Sequence, residues 1–259
     1  MSTSPRIVDL ELAAIDFETT GLEPERGHRV IEVAVIRGRR GEAPTRWSTL
    51  VQPGRTIEST DIHGILDTDL VAAPTYGQIA REVERRLDGA VLVAHNAKFE
   101  LAFLEVERRR CGAAPATSLG VLDTLALARV ALRIERHGLG QVLAHLEIPH
   151  VRAHRAEDDA LGTWHAAWAM LERLDPAGEL TLEHACAVGQ RVGAEGRAAL
   201  ARRLEAARGR MIWIEYAGEP LTRRAITPTH VNRQRVQAWC HLRQAERRFR
   251  LDRIRVVES

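Results

Sequence analysis

Three short segments of the 259-residue chain carry acidic residues at positions where chemistry, rather than folding, would want them. The first is Ile15-Asp16-Phe17-Glu18-Thr19-Thr20-Gly21, at the end of an apolar run that begins near Leu10. Side chains alternate across a strand, so Asp16 and Glu18 share one face. Two like charges on one face repel, and a cation between them removes the repulsion. Carboxylate oxygens suit a hard divalent cation, Mg2+ or Mn2+, better than zinc. The second segment is Ala94-His95-Asn96-Ala97-Lys98-Phe99-Glu100, in which Glu100 falls in the first turn of a helix, where an anion is favoured. The third is His154-Arg155-Ala156-Glu157-Asp158-Asp159-Ala160, a histidine just ahead of a helix with Asp159 inside it. Imidazole titrates at ~6.5 in its reference state, which suits proton abstraction near neutral pH. Each segment also has a plain structural reading, as a solvated turn, a helix cap at Asn96 or Glu100, or a helix-dipole charge at Asp158-Asp159. Their joint occurrence, in the order Asp, Glu, Glu, His, Asp, is harder to read as accident.

These segments must be positioned by regular elements. Residues 10–17 read as a strand, Val30 to Arg37 as a second, and Arg46 to Val51 as a third closed by Pro53-Gly54. Helical spacing of Ile79, Val83 and Leu87 predicts a helix over 75–87. Val91–Ala94 reads as a short buried strand, and a helix is expected from about Ala97 to Arg110, ended by Gly112. Further helices are expected over 122–132, 139–146 and 156–174. Trp164 and Trp168, four apart on the last, read as core. Strands interleaved with helices predict an α/β layer fold.

The three segments resemble the motifs of DEDDh-type 3′–5′ exonucleases, a family that includes the proofreading epsilon subunit of bacterial DNA polymerase III. The resemblance spans about residues 9–174. Val30-Ile31-Glu32-Val33-Ala34, Ile62-His63-Gly64-Ile65, Asp123-Thr124 and Leu139-Gly140 fit it as well. It implies an RNase H-like fold with a mixed central sheet and two Mg2+ or Mn2+ ions held by carboxylates. By matching motifs, Asp16 would bridge both ions, and Glu18 and Asp159 would hold the ion beside the attacking water. His154 would take that water's proton. Phe17, Thr19, Thr20 and Gly21 would approach the terminal nucleotide. His63, Gly64 and Ile65 would line the 3′-end site, with His95, Asn96 and Phe99 beside the strand. One departure stands out: the second motif usually ends in Asp, and here it ends in Glu100. Glu keeps the charge and adds a methylene, which would alter the reach to the second ion and shift metal preference towards Mn2+.

The remainder of the chain differs in character. Of 37 basic residues only Lys98 is a lysine. From Arg208 onward twelve Arg stand against five Asp and Glu, a net of +7; the whole chain is +2, so residues 1–207 carry −5. A basic segment fits a polyanionic partner. Asp175-Pro176-Ala177-Gly178 is the clearest boundary, residues 179–208 read as helical, and short strands are expected over 211–216, 224–228, 236–242 and 248–257. Trp239-Cys240-His241-Leu242-Arg243 followed by Arg248-Phe249-Arg250-Leu251-Asp252-Arg253-Ile254 resembles the WYL domain over about residues 210–259, although the name-giving triplet is replaced by Gln234-Arg235-Val236. The resemblance implies a small Sm/SH3-like barrel that binds nucleic acid or a nucleotide-like ligand. Tyr216, Arg224, Arg243, Arg248, Arg250 and Arg253 are the candidate nucleic-acid contacts. Trp239 is open to two readings, a stacking platform or, with Phe249, part of the core.

The expected organisation is an exonuclease domain over 9–174, a helical linker over 175–209 and a basic module over 210–259. No run approaches a membrane span. No secretory signal is read, and three separated cysteines offer no disulfide framework, so a reducing cytoplasm is expected. The expected function is a metal-dependent 3′–5′ exonuclease acting on single-stranded or frayed ends, DNA favoured over RNA, with a homodimer left open. The alternative is a weakened exonuclease fold that binds nucleic acid as a regulator, for which Glu100 is the only support.

Overall fold

Alternating apolar residues build the first sheet of the computed structural model, which describes residues 4–57, 60–189, 194–216, 222–232 and 234–258. Strands β1 (Leu12–Thr19), β2 (Val30–Gly38) and β3 (Thr45–Leu50) form an antiparallel meander. Two single-turn helices follow, α1 (Thr60–His63) and α2 (Asp67–Leu70), then α3 (Tyr76–Leu87), β4 (Val91–Ala94), α4 (Lys98–Cys111), β5 (Gly120–Asp123), α5 (Thr124–Ala131), α6 (Leu139–His145) and α7 (Ala156–Leu174). Strands β4 and β5 run parallel to β1, giving a mixed five-stranded sheet in the order β3-β2-β1-β4-β5. The helix expected from Leu122 begins two residues later. Gly120–Asp123 instead completes the sheet beside β4, and the Asp123 carboxylate caps α5 by accepting from the N–H groups of Leu125 and Ala126.

Each face of this sheet has its own core. Leu12 and Ala14 of β1 pack with Val91 and Val93 under α5, α6 and α7, where Trp164 and Trp168 are buried as expected. Ala13, Ile15 and Phe17 face the other way, into α3 and α4. Gly162 lets α6 approach α7, since a Cβ there would lie 2.6 Å from a methyl of Leu143.

The segment after α7 divides between two cores. Leu180, Leu182 and Ala185, at the start of α8 (Leu182–Gly189), are buried in the first core. Residues of α9 (Ala194–Ala206), Leu204 among them, pack instead with a second sheet. That sheet comprises β6 (Ile212–Tyr216), β7 (Thr222–Val231), β8 (Arg235–Cys240), β9 (Ala245–Arg250) and β10 (Ile254–Glu258). All its pairs are antiparallel, in the order β10-β6-β7-β8-β9. The single strand expected over 248–257 is two strands, because a 3-10 turn at Leu251–Arg253 turns the chain from one edge of the sheet to the other. Strands β9 and β10 are not paired with each other among the described residues, so the sheet stays open where a closed barrel was expected. No described helix is long and apolar enough to cross a membrane.

Candidate active site

The face of β1 that carries Leu12 and Ala14 continues with Asp16 and Glu18, directly beneath the N-terminal turn of α7. Asp16, Glu18 and Asp159 each place a carboxylate oxygen within 4.8 Å of the others. Strand alternation and one helix start thus gather residues 141 or more positions apart in sequence into a single cluster. Glu18 is 8% exposed, Asp159 9% and Glu100 5%. Burial, then the charges of Glu100, Asp159, Glu18 and Glu32, lift the Asp16 carboxyl well above the usual range. Burial and the charges of Asp159 and Glu32 push Glu18 up to about 8. Burial raises Asp159 as well. Glu100, at the start of α4, stands beside the trio; burial, with the charges of Asp123 and Glu18, lifts it to about 8, and its Oε2 has no hydrogen-bond partner. Buried carboxylates that repel one another, with one orphaned oxygen, are the donor set a hard divalent cation needs.

An ion pair buried on its Glu32 side holds the third segment against the sheet. Glu32, opposite Glu18 in the β1–β2 ladder, accepts from Arg155 Nε at 3.1 Å, Arg155 Nη2 at 2.8 Å and the Ala156 N–H at 3.1 Å. The Glu32 side chain is 5% exposed. Arg155 sits between His154 and the helix that bears Asp159, so this pair fixes both. The His154 N–H donates to Asp159 Oδ2 at 3.2 Å, with His154 itself in a left-handed conformation at φ 62° and its side chain exposed. A second histidine, His150, places Nε2 in hydrogen-bond contact with Asp159 Oδ1.

The other sequence candidates separate into those at the cluster and those that brace it. The turn after β1 is fastened to the chain at Arg29: Thr20 Oγ1 accepts from the Arg29 N–H at 3.0 Å, and Thr19 Oγ1 donates to the Gly21 carbonyl at 2.8 Å. A Cβ on Gly21 would lie 2.4 Å from the His28 ring, so any larger residue there must displace His28. His63 is buried; its Nδ1 accepts from the Ile65 N–H at 3.1 Å, Nε2 is unpartnered, and Gly64 at φ 68° makes the bend. Burial lowers the His63 pKa, and the charges of Glu32, His154 and Arg155 all act on it, which places it on the same side as the cluster. Ile65 packs with Ile31 and Leu70. Asn96, at φ 73°, is exposed, and its N–H donates to Asp123 Oδ1. His95 bridges Thr124 Oγ1 and the His137 carbonyl, each at 3.0 Å, which makes it a brace between β4 and α5. Phe17 faces the opposite core, and Phe99 packs against Phe103 with tilted rings 5.0 Å apart.

Comparison with known proteins fits this geometry. The family profile described as Exonuclease matches residues 13–165. The chain belongs to the exonuclease family. The profile of the WYL domain matches residues 204–259, so the exonuclease domain is joined to a WYL domain. The chain is 38% identical over 152 residues to the DNA polymerase III subunit epsilon of Treponema pallidum, covering 57% of this chain and 70% of that protein. It is 37% identical over 183 residues to a DNA polymerase III subunit epsilon-like protein of Rhodobacter capsulatus, covering 66% of this chain. That match takes in only 25% of the Rhodobacter protein, so the chain spans about a quarter of this relative. In fold, exonuclease I is similar, with a TM-score of 0.61 at 15% identity, over 96% of this chain and 64% of that one.

The C-terminal candidates divide between the two faces of the second sheet. Tyr216 packs edge-on against buried Phe249 at 5.1 Å, and the Arg224 guanidinium lies 5.7 Å from the Tyr216 ring. Arg253 Nη2 donates to the Arg129 carbonyl of α5 at 3.1 Å. Arg243 is exposed in the β8–β9 turn. Arg248 and Arg250 are exposed on β9, and Trp239 is 41% exposed rather than core. The alternation of β8 explains this, because Val236, Ala238 and Cys240 take the inward positions.

Proposed function

We propose that the protein is a divalent-metal-dependent 3′–5′ exonuclease that shortens single-stranded or frayed nucleic acid, DNA in preference to RNA. The observation that carries this reading is the convergence of Asp16, Glu18 and Asp159 on one spot within 4.8 Å. The name of the Treponema relative supports DNA as the polymer. Asp16, Glu18 and Asp159 would hold the divalent ions, Mg2+ or Mn2+, with Glu100 reaching the second from α4. When bound, such ions stabilise negative charge on the attacking and leaving oxygens of an in-line displacement.

The chain's own residues supply the rest. His154 takes the proton of the attacking water, and its N–H bond to Asp159 ties its placement to the ligand set. The Glu32–Arg155 pair holds both to the sheet. The Thr19–Gly21 turn and the buried His63 border the 3′-terminal nucleotide, while Asn96 contacts the strand behind it. Phe17, Ile65, His95 and Phe99 act from behind, as the packed supports of those contacts. The basic WYL domain adds a second contact to nucleic acid.

The test is purified full chain with a 5′-labelled single strand, as DNA and as RNA, in Mg2+, Mn2+ or EDTA. A ladder shortening from the 3′ end, absent in EDTA and in Asp16→Ala, supports the reading, and Glu100→Asp reports how the longer side chain tunes rate and metal preference. Intact strands in both metals, still bound by the protein, would replace catalysis with the regulatory alternative.

A further inference from the structure

The second sheet has one covered face and one uncovered face. Its inner face, with Ile212, Ile214, Ile226, Val236 and Phe249, is closed by Leu204 and Ala207 at the end of α9. On the outer face stand two tryptophans, Trp213 at 38% and Trp239 at 41% exposure. Trp213 pairs with Ala225 on β7, and Trp239 with Thr227, two residues further along the same strand. Strand spacing and rise place the two rings' Cα atoms ~12 Å apart on one surface. The Arg223 guanidinium lies 5.2 Å from the Trp213 ring centroid. Along the same face, β8 presents Arg235 and Gln237, and β9 presents Glu246, Arg248 and Arg250. Arg235 and Arg248 have no ion-pair partner among the described residues. At the edge of the sheet a cleft of 470 Å³ is lined by Gln237 of β8 and by Ala245, Glu246, Arg247 and Arg248 of β9.

We infer that this two-tryptophan face is a binding surface for a single strand of nucleic acid, separate from the carboxylate cluster. The exposed parts of the two indoles offer flat apolar faces, on which bases stack in any sequence. Phosphates between stacked bases would meet Arg235 and Arg248, in a segment that carries +7 while the rest of the chain carries −5. The occupant is therefore a polyanion with flat apolar faces, which a single strand is and a duplex, with its bases stacked inside, is not. Of the sequence candidates this surface takes in Trp239, Arg248 and Arg250 and leaves out Tyr216 and Arg224, which lie on the other face; the inference rests on the reading of the WYL domain as a nucleic-acid contact.

The experiment uses the full chain with Asp16→Ala, in EDTA, and a closed circle of oligothymidylate, which has no 3′ end to enter the exonuclease site. Parallel arms use a circle of oligouridylate and a blunt duplex. Binding is read by anisotropy and by quenching of tryptophan fluorescence. Trp213→Ala and Trp239→Ala are each expected to weaken circle binding about tenfold, and Phe at either position to keep most of it. Arg235→Ala and Arg248→Ala should each lower the slope of log affinity against log salt by about 1. Equal binding of both circles says that the surface ignores the sugar. If the parent chain binds the circle but the Trp→Ala variants bind it equally well, the face is refuted while the domain-level reading survives. If the parent chain does not bind the circle at all, both fail. A dimer in light scattering that Trp213→Ala and Trp239→Ala dissociate would make the face a contact between copies instead, and would overturn the inference.

Discussion

Removing Glu32 is expected to disable the active site although Glu32 is no part of the trio. The Glu32→Ala chain loses two charge-assisted bonds to Arg155 and the acceptor of the Ala156 N–H, which belongs to a residue 0% exposed. Breaking a buried ion pair costs about 3–5 kcal/mol, and a buried orphan N–H about 1–3 kcal/mol. The Arg155 side chain is 36% exposed, so its guanidinium regains water and the first figure falls to its lower end or below. Loss of one negative charge beside Glu18 and Asp16 offsets part of the remainder. A net loss of about 2–4 kcal/mol lowers Tm by roughly 5–15 °C for a protein of this size. Arg155 and Ala156 join His154 to the helix of Asp159, and a shift of ~1 Å in such groups costs about a hundredfold in rate. Glu32→Gln keeps an acceptor for Ala156 and should fall between. Calorimetry gives Tm, and kcat/KM on a labelled single strand, taken well below every Tm, gives the activity. An unchanged kcat/KM in Glu32→Ala would refute the idea that this pair positions the catalytic segment, whatever happens to Tm.

Two further outcomes follow from the same cluster. In EDTA, Tm should fall as pH rises from about 4.5 towards 8, because Glu18 and Glu100 hold protons in the folded chain that they release when unfolded. Their stabilising contribution is complete below the unfolded pKa and lost through the folded one; Mg2+ should therefore raise Tm more near pH 8 than in mild acid, and a Tm indifferent to both would contradict the buried-cluster account. His150→Ala removes the partner of Asp159 Oδ1 and should lower Tm in EDTA by ~2–8 °C, from about 1–2 kcal/mol of lost hydrogen bonding. That difference should narrow when Mg2+ is added, and melts of the two chains side by side would show whether it does.

Part of this was legible in the residues. Period-two alternation places Asp16 and Glu18 on one face with no knowledge of the rest of the fold, and a histidine five residues before Asp159 marks the helix start. The exonuclease and WYL matches agree with the motifs that pointed to them. What was not legible depends on contacts between distant segments. Glu32 lay within a run that fitted the family pattern, yet nothing local says that its partner is Arg155, 123 residues on. His150 lies in an irregular loop, where no period fixes which way a side chain faces. Trp239 was open between core and surface because a strand of six residues can be entered in either phase, and only the pairing of Val236 with Phe249 decides it. The break at Leu251–Arg253 hid inside an apolar-basic run that reads as one strand.

The two ends of the exonuclease unit hold each other. Arg6 and Thr181 form an antiparallel bridge, the Ile7 N–H donates to the Leu180 carbonyl at 2.8 Å, and the Leu182 N–H to the Pro5 carbonyl at 2.8 Å. The turn at Asp175-Pro176-Ala177-Gly178 is thus an inner fold of the first unit rather than its exit. Severing the chain there would unbuckle the amino-terminal segment and strip three apolar side chains from under the sheet. The seam for separating nuclease from WYL domain lies further along, after Cys186 and before Leu200, where one core stops and the other starts.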